Sequence, residues 1–397
     1  MLLVLAVVLE ALAAARAALR MIRTAGGSPL AAPNVPPAPG TIVAIVPVLN
    51  EASRVGTALD ALAACGDELA EIVVVDGGSI DGTRKVVAAA ADRAAARTEG
   101  TRPIRFVSAP QTPPDWNGKV WNLHTGLLKL AASDESVNAR GVAPWVAMVD
   151  ADVRVGPRLL AAAVARAQRD GLAALSVATR QELADAGAAL LHPALLTTLV
   201  YRAGLPNVAT TDPSQVQANG QVFVARRDAL ERTGAFRVAR ASRCEDITVA
   251  RVLAAAGERV GFYEGDAVVR MHDSWRDCAA NWPRSLTLRD AFVSPRKLAL
   301  ALAELLLAQA LPLPALIALL ALGERVPFAR PATAVAFALV AMRLGVLVGT
   351  RRAYVRPPVA YWLSPLADLP AVVLLIASAL RRKHVWRGRT LVAETPV

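Results

Sequence analysis

A chain of 397 residues is long enough for one large domain with further elements around it. Apolar residues make up 54% and crowd into the C-terminal part, which excludes an ordinary soluble chain. The net charge of +11 excludes little by itself, but Arg351, Arg352, Arg356, Arg381, Arg382, Lys383, Arg387 and Arg389 flank apolar segments with little aromatic interleaving; that pattern fits an anionic membrane surface and not a nucleic acid.

The run from Met1 to Ala15 is broken only by Glu10 and is followed by Arg16 and Arg20. A signal peptide carries its basic residues first, so residues 1–22 are expected as an N-terminal membrane anchor, with a surface-lying helix as the alternative. Residues 23–40, rich in Pro, Gly and Ala, read as a linker. Strand and helix signals then alternate: strands over Thr41 to Val48, Glu71 to Val75, Ile104 to Val107 and Trp145 to Val149, helices over Glu51 to Ala64, Asp81 to Arg97 and Val120 to Ala132. Apolar runs alternating with helices predict an α/β fold, a mostly parallel sheet with helices on both faces. Cys65, Cys244 and Cys278 form no C-x-x-C pair and no even set, which fits a reducing, cytoplasmic setting for this part.

Towards the end, Leu298 to Leu322, Ala332 to Gly349 and Val359 to Leu380 have bilayer-spanning length, and residues 298–380 are expected as a transmembrane region of two to four helices or re-entrant segments. Each is interrupted: the first by Glu304 and the pair Pro312 and Pro314, the second by Arg343, the third by Pro365, Asp368 and Pro370. A kink or hairpin is expected near Pro312, and Glu304 and Asp368 either line a cavity, snorkel or pair with other helices. Residues 381–397 form a basic tail. Three full spans after a cytoplasmic domain would put that tail outside, against the positive-inside tendency, so either one segment is re-entrant or the tail lies at an interface.

In parallel α/β sheets ligands bind beyond the carboxyl ends of the strands, and here those ends carry Asn50 and Glu51, then Asp76 to Ser79, then Asp150 and Asp152. Asp150-Ala151-Asp152 brings two carboxylates to one strand end, a donor set suited to Mg2+ or Mn2+ with phosphate oxygens. Asp76-Gly77-Gly78-Ser79-Ile80-Asp81-Gly82-Thr83 offers a tight turn in which Asp76 can accept hydrogen bonds from a base or ribose, while Asp81 reads as a structural cap. Glu245-Asp246 opens the helical stretch Ile247 to Ala256, as an acid pair does when it merely caps a helix.

Taken in order, Val46-Pro47-Val48-Leu49-Asn50-Glu51, Asp76 to Thr83, Asp150-Ala151-Asp152 and Glu245-Asp246 resemble the four motifs of the family 2 glycosyltransferases, over about Thr41 to Asp290. The resemblance implies a GT-A (Rossmann-like) catalytic domain at 41–290, a UDP- or GDP-sugar donor and a divalent cation. It narrows to membrane-bound enzymes that glycosylate lipids, similar to ceramide glucosyltransferases and bacterial hopanoid-associated and carotenoid glycosyltransferases. Lys119-Val120-Trp121-Asn122-Leu123 is similar to their Lys-x-x-Asn-Leu element, and Val385-Trp386-Arg387-Gly388-Arg389 to a C-terminal signature. The Gln/Arg-x-x-Arg-Trp motif of ceramide-type enzymes is Cys278-Ala279-Ala280-Asn281-Trp282 here, keeping only the Trp, so an isoprenoid alcohol fits better than ceramide.

The resemblance implies an inverting transfer to a lipid hydroxyl. Asp246 is expected as the base, Glu245 beside it to orient it or meet the acceptor. Asp152 and Asp150 are expected to hold the metal, and Pro47, Asn50, Glu51, Asp76, Lys119, Asp150, Asn219 and Gly220 to hold the donor. Trp275, Trp282 and Arg284 are expected near the acceptor, and His272 is either a third metal ligand or structural. Such an enzyme would be a multi-pass cell-membrane protein with its catalytic domain in the cytoplasm. A polyprenyl-phosphate glycosyltransferase, a processive polysaccharide synthase and a catalytically inactive membrane scaffold or transporter subunit are the competing readings.

Overall fold

A computed structural model describes residues 2–96, 102–134, 143–325, 328–381, 383–386 and 389–392. The chain divides into two compact units. One comprises Ser28–Arg180 and Pro206–Val269; the other gathers Met1–Gly27, Gln181–Leu205 and Arg270–Val397. The second unit therefore draws 181–205 from within the stretch expected as the sugar-transfer domain.

The first unit is built on a nine-stranded sheet. Its strands are β1 (Ile42–Val48), β2 (Leu69–Asp76), β3 (Ile104–Ser108), β4 (Trp145–Val149), β5 (Val153–Val155), β6 (Ala174–Gln181), β7 (Val208–Thr210), β8 (Val222–Arg226) and β9 (Val260–Val269). They run in the order β3-β2-β1-β4-β8-β6-β9-β5, with β7 beside β9. β3, β2, β1 and β4 are parallel, as the alternating pattern predicts. From β8 onward the sheet is mixed: β8 runs against β4 and β6, and β9 runs against β5 and β7. All seven residues of β1 are buried, which is why its sequence is continuously apolar and not alternating.

Register aligns the functional edge. Val48 pairs with Asp76, Asp76 with Ser108, and Ile45 with Met148, so β1, β2, β3 and β4 end together. Val149 pairs with Val222 of the reversed β8, so the turn that leads into β8 arrives at the same edge. The helix Gly118–Asp134 lies close on the sheet at Gly126, where a Cβ would stand 2.8 Å from the Ile45 side chain; any larger residue would push the helix away.

The second unit is helical. The first apolar segment is a helix over Pro295–Leu305 that widens into a π-turn over Leu306–Ala310 and bends by 44° before a second helix over Pro312–Leu322. Pro312 lacks the N–H that a continued helix needs, and the Leu311 N–H instead reaches back to the Leu306 carbonyl at 3.0 Å. Two further stretches, Ala329–Ala353 and Val359–Leu380, are long and apolar enough to cross a membrane, or three in all if the bent pair is one span. The N-terminal helix Leu2–Thr24, expected as an anchor, is not among them; Glu10, Arg16, Arg20 and Arg23 lie within it.

The charges inside these helices pair. Arg343 Nε donates to both Asp368 oxygens at 2.8 and 3.0 Å, Arg343 Nη2 to Ser364 Oγ at 3.0 Å, and Gln309 Nε2 to Asp368 Oδ1 at 3.0 Å. Glu304 sits between Arg16 Nε at 2.6 Å and Arg20 Nη2 at 2.9 Å, joining the N-terminal helix to the bent pair. Of the roles open to Glu304 and Asp368, helix pairing is the one their contacts show. In the C-terminal signature, Arg387 and Gly388 lie outside the described residues; Lys383–Trp386 and Arg389–Val392 form a two-stranded antiparallel hairpin.

Candidate active site

The site grows from the aligned strand ends. After β1 the chain turns through Asn50, whose φ of 56° is a left-handed conformation that asparagine tolerates better than most residues. Asn50 N–H donates to Ser79 Oγ at 2.8 Å and its Oδ1 accepts from Ile80 N–H at 2.9 Å. Glu51 N–H donates to Thr83 Oγ1 at 2.8 Å and Ala52 N–H to Asp81 Oδ2 at 3.0 Å. Asp76 is buried and accepts from the Ser79 backbone at 3.0 Å and the Ser79 hydroxyl at 2.5 Å. The first two motifs thus lock each other, with Asp81 as the structural strut and Asp76 held by the turn that follows it. Pro47 is buried in β1 beside Val75.

Three asparagines set the other wall. Asn117 Nδ2 donates to the Ser242 carbonyl at 3.0 Å and its Oδ1 accepts from Lys119 N–H at 2.9 Å, tying the start of the Gly118–Asp134 helix to the loop before Glu245. Asn122 Nδ2 donates to the Val48 and Val75 carbonyls at 3.2 and 3.3 Å, pinning the ends of β1 and β2. Asn219 spends its amide on its own turn, accepting from Gln221 N–H at 3.0 Å and donating to Gln221 Oε1 at 2.8 Å, while Asp150 N–H donates to the Gln221 carbonyl at 3.0 Å. Asn117 and Asn122 were absent from the expected site residues: they act through the carbonyls of Ser242, Val48 and Val75, which lie far from them in sequence.

Lys119 is the hub. Its Nζ lies 2.7 Å from Asp150 Oδ1 and 2.7 Å from Glu245 Oε1. Gly220 closes over it: a Cβ there would stand 3.1 Å from Lys119 Nζ, 3.2 Å from Asp246 Cβ and 3.3 Å from Glu245 Oε1. Motifs 126 residues apart in sequence, Lys119 and Glu245, therefore meet on one ammonium. Burial works against that ammonium, but the charges of Asp150 and Glu245 outweigh it and raise its pKa.

Crowding lifts the acids. Burial pushes Asp150 up to about 6, with Lys119 opposing and Asp152 adding to the rise. Asp152 is raised by burial and by Glu51, against Arg54 and Lys119. Burial and the neighbouring charge of Glu245 push Asp246 up to about 7, while Lys119 and the backbone N–H groups of Ile247 and Gly220 favour its charged form. A carboxylate poised near neutrality has the proton affinity that general-base chemistry requires.

Among the described residues no three His, Cys, Asp or Glu side chains converge as a closed metal cage. The donor set fits an open one. Asp150 and Asp152 are hard oxygen ligands whose charged forms are costly as they stand, and a cation bound by one or two carboxylates takes its other ligands from phosphate and water. His272 belongs to the helical unit, with its Nδ1 3.2 Å from Asp277 Oδ2. Trp275, Trp282 and Arg284 belong to the helix Trp275–Leu286 of that unit. Trp275 is half exposed, Arg284 is partly buried, and Trp282 is buried with its ring stacked 3.8 Å from that of His192.

Residues 38–284 match the family model described as Glycosyltransferase like family 2. The chain belongs to this family. It is a glycosyltransferase, and the strand-end edge is where its four acidic motifs meet. Among solved structures, the mannosyltransferase PcManGT from Pyrobaculum calidifontis, in complex with GDP-Man and Mn2+, is similar over 96% of this chain and 98% of that chain, at 22% identity and a TM-score of 0.55. Glucosyl-3-phosphoglycerate synthase from Mycobacterium tuberculosis, in complex with Mn2+, UDP and glucosyl-3-phosphoglycerate, is similar over 68% of this chain and 81% of that chain, at 17% identity and a TM-score of 0.37. At such identities the likeness to PcManGT speaks for the fold. No curated protein sequence matches the chain.

Proposed function

We propose that this glycosyltransferase moves a sugar, with inversion, from a UDP- or GDP-sugar to the hydroxyl of a membrane alcohol of isoprenoid type. One observation carries the reading: Lys119, Glu245 and Asp246 gather around Gly220, with Asp150 on the Lys119 ammonium, beside two motifs that lock each other at the strand ends. A lipid acceptor and a multi-pass membrane protein are supported by the two helices long and apolar enough to cross a membrane; a cytoplasmic catalytic unit is part of the same proposal.

The chemistry divides among these residues. The acceptor oxygen forms a bond to the anomeric carbon as the bond from that carbon to the diphosphate oxygen breaks on the opposite face. Asp246 takes the acceptor's proton; Glu245, held by Lys119, fixes the start of its helix. Asp150 and Asp152 would hold Mg2+ or Mn2+, which supplies charge neutralisation for the departing diphosphate. PcManGT, which shares the fold, was solved with GDP-Man and Mn2+, in keeping with that assignment. Lys119 holds Asp150 and Glu245 at a fixed separation and offers a positive charge to the donor's phosphates. Asn50, Glu51, Asp76 and Pro47 shape the floor on which the nucleotide lies, and Asn219 holds the turn that presents Gly220.

The test is nucleoside diphosphate release by the full chain in detergent, with a nucleotide sugar, Mg2+ or Mn2+, and an isoprenoid alcohol. Acceptor-dependent release is expected. Release with a polyprenyl phosphate and not with the alcohol, surviving Asp246→Asn, would replace this reading by phosphate-acceptor transfer, since a phosphate arrives already ionised and needs no base.

A further inference from the structure

The turn Asn219-Gly220-Gln221 touches both halves of the site. Its Gly220 N–H donates to the Asp246 carboxylate, and a Cβ on Gly220 would stand 3.2 Å from Asp246 Cβ. At the other end the Gln221 carbonyl accepts from Asp150 N–H at 3.0 Å. A displacement of this turn is therefore felt by the proposed base and, through the backbone, by a proposed metal ligand.

What fixes the turn comes from β6. Ser176 pairs with Phe223 of the antiparallel β8, so the residues that follow Ser176 pass the turn that leads into β8. The buried Ser176 hydroxyl clamps Asn219 from both sides, donating to its carbonyl at 2.8 Å and accepting from its N–H at 2.7 Å. The buried Thr179 hydroxyl donates to Gln221 Oε1 and lies 3.4 Å from Asn219 Nδ2, the amide that itself donates to Gln221 Oε1 at 2.8 Å. Hydroxyls buried in a strand with Leu175 and Val177 cost free energy unless they are hydrogen-bonded, and both of these spend bonds on the one turn. A connected set of this kind holds a geometry more firmly than its bonds taken singly.

We infer that Ser176 and Thr179 are positioning residues for sugar transfer, setting the Gly220 N–H against the Asp246 carboxylate. The inference rests on Asp246 as the proposed base. A backbone N–H favours the charged carboxylate, so a slackened turn leaves Asp246 harder to deprotonate. The other charges acting on Asp246, those of Glu245 and Lys119, stay in place when the β6 hydroxyls are removed. Thr179→Val takes away the hydroxyl and keeps the shape; Thr179→Ser keeps the hydroxyl. In the full chain in detergent, with UDP-glucose or GDP-mannose as donor and geranylgeraniol as acceptor, Thr179→Val is expected to lower kcat about tenfold. It should also move the acidic midpoint of kcat/KM upward by about half a pH unit, with nucleotide-sugar affinity and the Mn2+ concentration for half-maximal rate unchanged. Thr179→Ser should restore kcat and the midpoint, and Ser176→Ala should act in the same direction as Thr179→Val. A lower melting temperature with kcat and the midpoint unchanged would make the hydroxyls structural only and overturn the inference. A raised Mn2+ requirement with an unmoved midpoint would place their effect at Asp150 and overturn it as well. Full turnover in Asp246→Asn would sink the proposed base and this inference with it, whereas lost turnover there beside an unmoved midpoint in Thr179→Val would sink this inference alone.

Discussion

The two units bury acidic groups in opposite ways. In the helical unit Asp368 and Glu304 meet arginine directly: Arg343 Nε donates to both Asp368 oxygens at 2.8 and 3.0 Å, and Glu304 is clasped by Arg16 and Arg20. In the catalytic unit Glu51, Asp150, Asp152, Glu245 and Asp246 crowd one edge and lean on Lys119, with Arg54 acting at Asp152. Matched charge holds helices together. Crowded, incompletely compensated acid is an arrangement that stability alone does not favour, and it signals a site that awaits a cation or takes a proton.

Removing the proposed base is the strongest challenge to this contrast. Asp246→Asn is expected to lower turnover by about 10²- to 10⁴-fold, with nucleotide-sugar binding preserved in a titration of the same preparation. Turnover that survives would move the base elsewhere. On the other side, Asp368→Asn leaves Arg343 buried without its counter-charge and is expected to cost about 3–5 kcal/mol of stability. A fall in melting temperature in detergent should report it, with kcat of the remaining folded protein unchanged; a fall in kcat alone would blur the distinction between the units.

Lys119→Met removes the shared ammonium and is expected to weaken nucleotide-sugar binding about ten- to hundredfold, the loss of a charged hydrogen bond. It also bears on pH. As the proposed base Asp246 would work only when deprotonated, and burial pushes it up to about 7, so kcat/KM should fall as pH drops through that range. Because Lys119 favours the charged form, its loss should move the midpoint upward; a midpoint that stays put would separate Asp246 from the Lys119 cluster. Gly220→Ala is the mildest change. Its Cβ would press on Lys119 Nζ at 3.1 Å and Asp246 Cβ at 3.2 Å, and a several-fold loss of kcat is expected from the shifted acid pair, as misplacement of about an ångström costs more.

Much of the parallel half of the sheet is legible because buried parallel strands read as unbroken apolar runs: β4 occupies the stretch expected for it, Trp145–Val149, and β1 lacks only Thr41. Strands β6 and β9 of the mixed half are not, since antiparallel pairing across long separations leaves no local period. The helix Ala186–Ala203 was hidden for another reason: it sits in sequence between β6 and β7 yet belongs to the helical unit, and no local property of 186–203 says so. At the site, acid motifs stood out by residue type, whereas Asn117 and Asn122 act through backbone carbonyls that only the fold brings near.

By itself the sequence determined the family, the order of the acidic motifs and the presence of apolar segments long enough for a bilayer, because residue type and short-range period are local properties. Tertiary structure alone decided that Lys119 joins Asp150 to Glu245, that Arg343 and Asp368 neutralise one another, and that His192 stacks on Trp282. Those pairings depend on distances between residues remote in the chain, set by strand register and helix packing.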